Sequence, residues 1–535
     1  MTLIKKSLVI SALYFALPLW ADTGGSEPKS RPKLTIYEYQ ITGNTLLDPR
    51  DLERVLEPFL GENQEVTAVE KAAKKIERLY KDKGYPTVYV NIPEQDIRKG
   101  IIKMSIVEGK VQRLRITGAN YYTLSGIRNE LPAVQEGQTP YFPDFQQQLS
   151  KINARSQHLK VTPVLKPGKF PGSVDIELRV KDELPWVNQL SVSNYNSANT
   201  TRPRLEFNTA YNNLWQKDHG LSLQYQTSPE KTEEVSIWGF TYLMPVLKEH
   251  RAAVYMVKSD SQVASLGGQT AFTALGKGDI YGLRYIIPLE SHSDFLHSIT
   301  LDFDYKDFTD TLEIAGNKEK GQADLRQDLA PIAYGLFGFD YDMTFMRAKG
   351  SDRFGVGGRW GMRGLNDDKE FEAKRKKSEP NFSYATLSAR LMREVMKGWQ
   401  VRLNTKTQLT DSLLIGNEQF SIGGNETVRG YFQSETLGDT GIYSQLELRT
   451  PVLMKSVSWL KDWRVLAFVD AGEVKVKSPL PEQISRTTLA SVGLGTRLKI
   501  TSQLSLAVDA AKTLHEGAKT PEDHWRMDAQ VRWQF

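Results

Sequence analysis

The stretch WRMDAQVRWQF, residues 525–535, alternates apolar and polar side chains up to a terminal aromatic residue. Because successive side chains of a strand point to opposite faces, one face of this segment is wholly apolar and the other is polar. Such a strand suits a barrel wall between lipid and water, and we expect Trp533 and Phe535 to act as a membrane-assembly signal. The alternative is an ordinary amphipathic strand of a soluble sandwich.

The first residues have the layout of a secretory signal peptide. Two lysines precede an apolar run, residues 8–20, and a polar stretch follows Ala21. This pattern predicts a signal peptide over residues 1–21. No segment approaches the roughly twenty consecutive apolar residues that a transmembrane helix needs. We therefore expect an exported chain without a helical anchor.

The composition fits an envelope protein built from strands. The chain has 535 residues, 40% of them hydrophobic, a net charge of +5 and no cysteine, and its mean hydropathy is −0.43. Barrel strands alternate, so a low average hydropathy does not exclude a membrane protein. The absence of cysteine rules out disulfides and thiolate metal sites, and the mild charge gives no reason to expect a nucleic-acid partner.

Two similar units follow the signal peptide. Each begins with a strand that ends in Ile-Thr-Gly and then asparagine, LTIYEYQITGN at 34–44 and VQRLRITGAN at 111–120. Periodicity then predicts the order helix, helix, strand, strand in both units. In the first unit these segments are 48–60, 67–85, 87–97 and 100–109, with Gly84 placed to end the second helix. In the second unit they are 123–131, 142–157, 160–168 and 173–182. The sequence thus predicts two small α+β domains, residues 34–109 and 110–184.

From residue 185 onward the chain is a succession of alternating segments, such as LSLQYQT, WQVRLNTKTQL and LSLAVDAAKT. Dividing about 350 residues by about 20 to 22 per strand with its loop gives on the order of sixteen strands, an even number as bacterial barrels require. We therefore expect a transmembrane antiparallel β-barrel over 185–535. The charge-rich stretches 306–325 and 365–382 are predicted to be solvated external loops.

One segment is too specific for a generic barrel. It reads FSIGGNETVRGYFQSETLGDTGIYSQLELRTPV at 420–452, and VLAFVDAGEV follows at 465–474. The string from Gly424 to Tyr431 resembles the VRG(F/Y) loop signature of the outer-membrane superfamily that includes BamA and the two-partner secretion transporters. FVDAG is similar to that superfamily's F-x-D-x-G strand signature. Two units of the type called POTRA, followed by a barrel that ends in Phe, resemble the layout of two-partner secretion transporters of the FhaC and ShlB type.

The resemblance implies an inward loop over 420–450 that closes on the barrel wall as a latch. A guanidinium in a crowded lumen is costly unless paired, and a bidentate carboxylate is its best partner, so we expect Arg429 to contact Asp470. The alternative is that Arg429 only fixes the loop and has no part in transport. The residues implied for the loop are Gly424, Val428, Arg429, Gly430 and Tyr431, and those for the wall are Phe468, Asp470 and Gly472.

The chain departs from the FhaC type before its first POTRA unit. That type carries a plug helix and a long linker, whereas only residues 22–33 separate the predicted cleavage site from the first strand here, and they have no apolar face. We therefore expect a short linker without a plug helix. The sixth external loop would then obstruct the resting pore.

An unfolded exported chain offers unpaired backbone groups, which an open sheet edge can bind by strand addition. The middle one of the three strands in a POTRA unit should be that edge. In the second unit it covers 160–165 beside the second helix. Ordinary core packing is the alternative for the helix residues. The expected substrate contacts are Phe145, Leu149, Ile152, Val161 and Val164.

The resemblance implies a transporter of the bacterial outer membrane with its POTRA domains in the periplasm. Its partner would be a secreted exoprotein with an N-terminal TPS domain, which is an adhesin, a haemolysin or a toxin. Outer-membrane lipids, periplasmic chaperones and the barrel assembly machinery would be further partners during its own insertion. An insertase for outer-membrane proteins is the main alternative, and a passive porin is the third.

The chain contains no motif for energy coupling or catalysis. It has no GxxxxGK(S/T) and no GxSxG, and its seven histidines are scattered. We therefore expect no cofactor, no metal site and no enzymatic activity. Export would be driven by folding of the substrate outside, since each strand formed there lowers the free energy of the exported chain.

Overall fold

The computed structural model describes residues 33–535 except 157, 171, 199, 248, 262–263, 267–271, 275, 291–293, 310, 315–324, 329–330, 365, 455–456, 458 and 481–482. The predicted signal peptide over 1–21 and the predicted linker over 22–33, except its last residue Lys33, lie outside the described residues. The described chain falls into two units, one up to Glu183 and one from Leu184 to Phe535.

The first α+β domain has the predicted order of elements, except that its first strand is divided in two and a further short strand lies between the helices. Asp48 caps its first helix by accepting from the N–H of Arg50, and Gly84, with a φ of 97°, follows the last turn of its second helix. Its sheet has the order β2-β5-β4, with β2 parallel to β5, while β1 and β3 form a separate ribbon. The elements are β1 (Lys33–Ile36), β2 (Glu38–Thr42), α1 (Pro49–Leu56), β3 (Gly61–Glu65), α2 (Thr67–Asp82), β4 (Tyr89–Asn91) and β5 (Ile101–Val107).

The second α+β domain repeats this arrangement. Its elements are β6 (Lys110–Thr117), α3 (Leu124–Asn129), α4 (Phe142–Arg155), β7 (Leu159–Pro167) and β8 (Ser173–Asp182). The sheet has the order β6-β8-β7, so β7 lies at an edge. The carboxylate of Asp182 accepts from the backbone N–H groups of Asn120, Tyr121 and Tyr122, which ties the chain after β6 to the end of β8.

The rest of the chain forms a closed barrel of sixteen antiparallel strands, and the predicted fold is confirmed. The first eight wall strands are β9 (Trp186–Ser193), β10 (Arg204–Leu214), β11 (His219–Thr227), β12 (Ser236–Pro245), β13 (Arg251–Asp260), β16 (Gly278–Pro288), β17 (Phe295–Phe308) and β20 (Ile332–Arg347). The other eight are β21 (Gly350–Gly361), β22 (Ser383–Met396), β23 (Trp399–Leu409), β26 (Thr440–Arg449), β27 (Asp462–Lys475), β28 (Arg486–Lys499), β29 (Leu504–Thr513) and β30 (Trp525–Gln534).

Among the described residues, three short hairpins and one α-helix lie in the loops between wall strands. The hairpins are β14 (Ala264–Leu266) with β15 (Phe272–Ala274), β18 (Thr311–Ile314) with β19 (Leu325–Asp328), and β24 (Phe420–Ile422) with β25 (Thr436–Gly438). The helix is α5 (Asp368–Lys374). None of the described helices is both long and apolar enough to cross a membrane.

The wall strands present alternate side chains to the outside and to the lumen. On β30 the outward residues Trp525 and Met527 are 62% and 64% exposed, whereas Asp528 on the opposite face is 3% exposed. The outward apolar band is the surface that lipid covers. Trp533 and Phe535 stack on each other at the end of this band, with ring centroids 4.4 Å apart.

The two ends of the barrel differ in the length of their connections. The end at which β9 begins carries short turns, such as 348–349 and 397–398, and the other end carries long loops. Short turns face the periplasm in outer-membrane barrels, so the long loops are external. Two of them, the fifth external loop (362–382) and the sixth (410–439), carry the site described below. The inward loop predicted over 420–450 ends earlier, at Asp439, because the following residues form wall strand β26.

Candidate functional site

The sixth external loop folds into the lumen and places Arg429 on the barrel wall. Nε and Nη2 of Arg429 donate to the two carboxylate oxygens of Asp470, at 2.7 and 2.8 Å. The backbone N–H of Arg429 donates to the same carboxylate at 3.1 Å. The guanidinium carbon lies 3.5 Å from the centre of the Phe468 ring. The contact that the motif predicts is therefore present as a bidentate ion pair, stacked on an aromatic face.

Two further carboxylates surround this guanidinium. Nη1 of Arg429 donates to Glu447 at 2.8 Å and lies 3.8 Å from Asp509. Arg429 is 1% exposed and Asp470 is 0% exposed, so the charges have little contact with water. Sequence reasoning missed Glu447, although the alternation of GIYSQLELR directs its side chain to the lumen beside Asp470. A buried charge is stable only when paired, so each member of this cluster requires the others.

Glycines give the loop a path that other residues would strain. Gly424 and Gly430 have φ values of 99° and 93°, in the left-handed region that disfavours a Cβ atom. A Cβ on Gly430 would also lie 3.2 Å from Cβ of Ala511 and 3.3 Å from Cγ2 of Thr513. The loop therefore approaches strand β29 as closely as it does only because position 430 has no side chain.

Apolar side chains hold the same loop against the wall. Val428 and Tyr431 are both 0% exposed. The hydroxyl of Tyr431 lies 2.7 Å from the carbonyl oxygen of His515, to which it donates. Gly472 leaves room for the loop, since a Cβ there would come within 3.0 Å of Val428 Cγ2. The predicted loop and wall residues thus meet in one place, which we call the latch. Its apolar part consists of Phe420, Ile422, Val428, Tyr431, Tyr443, Val474 and Leu489.

The fifth external loop also folds into the lumen, so the prediction of a solvated loop over 365–382 is wrong. Phe371 of α5 and Phe382 are 1% and 2% exposed. Their ring centroids lie 5.6 and 6.3 Å from that of Tyr334, which points inward from β20. In the sequence these two phenylalanines are surrounded by charged residues, so the pattern did not indicate a buried face. We call residues 368–382 the lid.

The lid covers an apolar area of the inner wall. A polar lumen is usual in large barrels, so a buried apolar patch on the inner face needs a cover. Here the cover is the lid together with Leu414 and Ile415 of the sixth loop. The inward wall residues of this cluster include Ile237, Tyr255, Val257, Ile280, Phe308, Ile332, Tyr334 and Leu336.

An ion pair joins the lid to the sixth loop. Both terminal nitrogens of Arg375 donate to the carboxylate of Asp439, and they donate as well to the carbonyl oxygens of Leu414 and Lys477, at 2.5 and 2.6 Å. Asp439 is 0% exposed and also accepts from the backbone N–H groups of Leu414 and Lys477. The lid, the sixth loop and the loop after β27 are therefore linked through one carboxylate.

The second stretch predicted to be a solvated loop, 306–325, begins inside the wall. Lys306 belongs to β17, and its ammonium group donates to Glu418 of the sixth loop at 2.6 Å. Glu418 also accepts from the hydroxyls of Tyr334 and Tyr384, at 2.5 and 2.9 Å. Residues 315–324 of this stretch lie outside the described residues.

Three of the five residues predicted to contact substrate lie in the core of the second α+β domain. Phe145, Ile152 and Val161 are each 1% exposed, while Leu149 and Val164 are partly buried. The apolar face of α4 packs on the inner face of β7, so these side chains stabilise the domain and do not form a surface. The structure therefore corrects the prediction for Phe145, Ile152 and Val161.

The predicted edge strand is an edge, but its backbone is partly occupied. Oδ1 of Asn153 accepts from the N–H of Val161 at 2.7 Å, and Nδ2 donates to the carbonyl oxygen of Val161 at 3.0 Å. Backbone groups of a strand alternate in direction, so Pro163 and Leu165 face the same free side. Pro163 has no N–H to offer. The open part of the edge therefore begins at Leu165.

A groove lies beside this open edge. It encloses about 590 Å³ between the two α+β domains and is lined by Tyr89 of β4, by Leu165 and by Phe170, among others. Leu165 and Phe170 are 40% and 62% exposed. Edge strands of both domains thus border one apolar groove.

Comparisons with known proteins point to secretion transporters. The model of the family described as haemolysin secretion/activation protein ShlB/FhaC/HecB matches residues 172–498, and the model of the ShlB-type POTRA domain matches 34–109. The outer membrane transporter CdiB of Dickeya dadantii is 24% identical over 463 residues, which are 83% of this chain and 76% of that protein. The heme/hemopexin transporter protein HuxB of Haemophilus influenzae is 21% identical over 496 residues, 89% of this chain and 82% of that protein.

Solved structures share the fold. CdiB from Escherichia coli superposes with a TM-score of 0.62 at 18% identity, covering 96% of this chain and 92% of that one. BamA from Haemophilus ducreyi, in a form that lacks POTRA domains 1–3, superposes with a TM-score of 0.57 at 14% identity, covering 94% of this chain and 100% of that one.

Proposed function

Since the chain belongs to the haemolysin secretion/activation family of ShlB, FhaC and HecB, which are outer-membrane transporters of two-partner secretion, we propose that it recognises one unfolded exoprotein in the periplasm and exports it through the barrel lumen. The observation that carries this proposal is a closed barrel with two segments folded into its lumen. These are the sixth external loop, which carries the latch, and the lid. Loops can leave a lumen without breaking the wall, so displacement of the lid would open a path. A passive porin instead keeps an aqueous channel.

We assign recognition of the exoprotein to the groove between the two POTRA domains and to the open edge at Leu165–Pro167. An extended chain added to this edge gains backbone hydrogen bonds, and its alternate side chains reach the groove. Leu165 and Phe170 supply apolar surface there. We therefore assign the contact with the exoprotein to the exposed residues Leu165 and Phe170 and not to the buried residues Phe145, Ile152 and Val161.

Within the barrel the latch and the lid have different parts. The guanidinium of Arg429 is held by Asp470 and Glu447, and breaking such a buried pair costs about 3–5 kcal/mol. The lid is held by the packing of Phe371 and Phe382 and by the ion pair of Arg375 with Asp439. An apolar segment of a passing chain can replace the aromatic packing. We propose that the lid is displaced during export while the latch keeps the sixth loop on the wall.

We assign the free energy that drives export to folding of the exoprotein outside the cell. The chain carries no P-loop motif, and folding of the exported segment prevents its return by mass action.

The test is an export assay. The chain is expressed with the large exoprotein that is encoded beside its gene, and that exoprotein is measured in the medium with and without the chain. We expect release that depends on the chain. Unchanged release in its absence would contradict the proposal.

An insertase for outer-membrane proteins is the second candidate, and the seam of the barrel favours it. The ladder between β30 and β9 covers Gln530–Gln534, and backbone hydrogen bonds extend it to Phe535 with Asn188 and to Ala529 with Asn194. At the latter end the side chain of Asn194 also bonds to the backbone of Ala529 and Met527, each at 2.8 Å. A seam held partly by a side chain is a place where a barrel can open to lipid. In this case removal of the chain would deplete many barrels from the outer membrane.

A further inference from the structure

A cavity of about 800 Å³ lies in the lumen near the periplasmic ends of the wall strands, and Arg429 forms part of its wall. Among the described residues that line it, eight are arginine or lysine and three are aspartate or glutamate. Apart from Arg429, the cations come from six wall strands, β22, β23, β26, β27, β28 and β30. They are Arg390, Arg402, Arg449, Arg464, Arg497, Lys499 and Arg532.

Half of the eight cations are neutralised by carboxylates. Arg429 pairs with Asp470 and Glu447, as described above. The other three pairs are Arg449 with Glu447, Arg464 with Asp462, and Arg497 with Asp509. These cations are therefore part of the wall rather than free to bind a ligand.

The other four form no ion pair with a carboxylate of the described residues. Arg390 and Arg532 donate only to the amide oxygens of Asn404 and Gln530. Arg402 and Lys499 make no side-chain hydrogen bond or ion pair with the described residues. All four side chains are exposed to the cavity space. Unpaired cations inside low-dielectric walls produce a strong local positive potential.

Carboxylates near the cavity offset part of this potential without forming ion pairs with the four cations: Glu447 interacts electrostatically with Arg402, and Glu206 with Arg532. Asp302 and Asp340 lie outside the cavity lining and share Arg359, with N–O distances of 3.5 and 2.8 Å. Among the described residues that line the cavity, cations still outnumber carboxylates, and we call this cavity the cationic chamber.

We propose that the cationic chamber binds acidic segments of the exported polypeptide during its passage, an inference that rests on the proposed function. Guanidinium groups match carboxylates in geometry. The four free cations stand on four different wall strands, with neighbouring strands of the wall about 4.8 Å apart, so they surround an extended chain rather than converge on one atom. The lumen-facing position also separates them from lipid headgroups outside the barrel.

The test uses the full chain in lipid nanodiscs and two fluorescein-labelled peptides, octaglutamate and octalysine, with binding followed by fluorescence anisotropy. We expect octaglutamate to bind, octalysine not to bind, and the affinity for octaglutamate to fall with added salt. The double variant Arg402→Glu with Arg532→Glu should bind octaglutamate about tenfold or more weakly. The matched control, Lys217→Glu with Lys397→Glu, changes the net charge equally on exposed periplasmic turns and should bind as the parent does.

Three results would overturn the proposal. These are equal binding of both peptides, equal loss of binding in the chamber variant and the control, and tighter binding of pyrophosphate than of octaglutamate, which would reassign the chamber to a phosphate-bearing ligand. The peptide assay does not depend on secretion. Export of the partner without octaglutamate binding would therefore remove this inference alone, whereas octaglutamate binding without partner export would remove the proposed function.

Discussion

At the scale of single residues, the lumen is organised by charges that are buried in groups. Arg429 alone would be costly in a crowded lumen, yet it is surrounded by Asp470, Glu447 and Asp509. Removing the cation leaves these carboxylates buried without it, so the penalty exceeds that of one lost hydrogen bond.

Arg429→Ala should leave a heat-modifiable barrel in the outer membrane and greatly reduce secretion of the exoprotein. The physical reason is a loss of about 3–5 kcal/mol at the latch, within a barrel whose wall hydrogen bonds are intact. Both quantities are read from one culture, the barrel by gel mobility with and without heating and the exoprotein in the medium.

A double variant distinguishes a part of Arg429 in transport from a purely structural role in fixing the loop. Adding Asp470→Asn to Arg429→Ala removes one unpaired carboxylate and should restore part of the thermal stability. Secretion that returns together with stability would mean that Arg429 only fixes the loop. Secretion that stays low would assign it a part in transport, and equal secretion by Arg429→Ala and the parent would end the latch hypothesis.

Gly430→Ala should destabilise the latch by about 1–2 kcal/mol, since a φ of 93° is unfavourable for any residue with a Cβ. Gly416→Ala is the matched control in the same loop, because a Cβ there meets no atom within 4 Å. Thermal unfolding of the purified barrels should separate the two variants. Equal melting temperatures would show that the close approach to β29 is not needed.

At the scale of elements, a short helix and one sheet edge carry the proposed movements. The lid contains α5, whose aromatic residue packs into the lumen although charged residues surround it in sequence. Strand β7 is an edge strand, but Asn153 covers part of its backbone. The proposed function of α5 depends on the side that packs into the lumen. That of β7 depends on the part of its edge that Asn153 leaves open.

Phe371→Ala should loosen the lid, because truncating a buried phenylalanine costs about 3–5 kcal/mol. We expect a larger or more frequent ion current through the purified protein in planar lipid bilayers. Glu372→Ala, on the exposed side of the same helix, is the control and should leave the current unchanged. If the two variants conduct alike, the lid does not close the resting pore.

Leu165→Pro should weaken binding of the exoprotein to the full-length transporter in detergent, because it removes the first open N–H of the edge. The ladder between β7 and β8 is retained, since that N–H points away from β8. Leu165→Ala keeps the N–H and removes only the apolar side chain. A proline variant that binds as well as the alanine variant would exclude strand addition at this edge.

At the scale of the whole molecule, the question is whether the substrate passes through the lumen or through the seam. Val192 and Val531 are register partners across the seam and face lipid, at 45% and 44% exposure. The chain has no cysteine of its own, so a pair introduced at these positions can be cross-linked selectively.

The variant Val192→Cys with Val531→Cys, once cross-linked, should still secrete the exoprotein, because export through the lumen does not need an open seam. The same cells under reducing conditions are the control. Loss of secretion only in the cross-linked state would favour the insertase and would move the path of transport to the seam.

The architecture was predictable because it follows from local patterns. Alternation with a period of two is visible in each wall strand, and it predicted the barrel and the lipid face of β30. The VRGY and FVDAG strings predicted that Arg429 contacts Asp470. The edge position of β7 followed from the order of strands in each POTRA unit.

Other features needed the folded chain, because they depend on side chains that are distant in sequence. The lid could not be recognised, since one buried phenylalanine on a short charged helix has no periodicity. The core position of Phe145 and Ile152 was undecided, since an apolar helix face suits either a core or a groove. Asn153 covers part of the edge through two side-chain atoms, and no sequence pattern indicates this contact.

The order of the strands, the closed wall and the pairing of the motif residues were thus set by local alternation and by two short strings. The filling of the lumen was decided by tertiary structure alone, because the lid, the sixth loop and the cationic chamber are assembled from up to seven wall strands and several loops. Closing the wall brings these strands together, and their inward side chains then create an apolar patch that must be covered and a cluster of cations of which wall carboxylates pair only half.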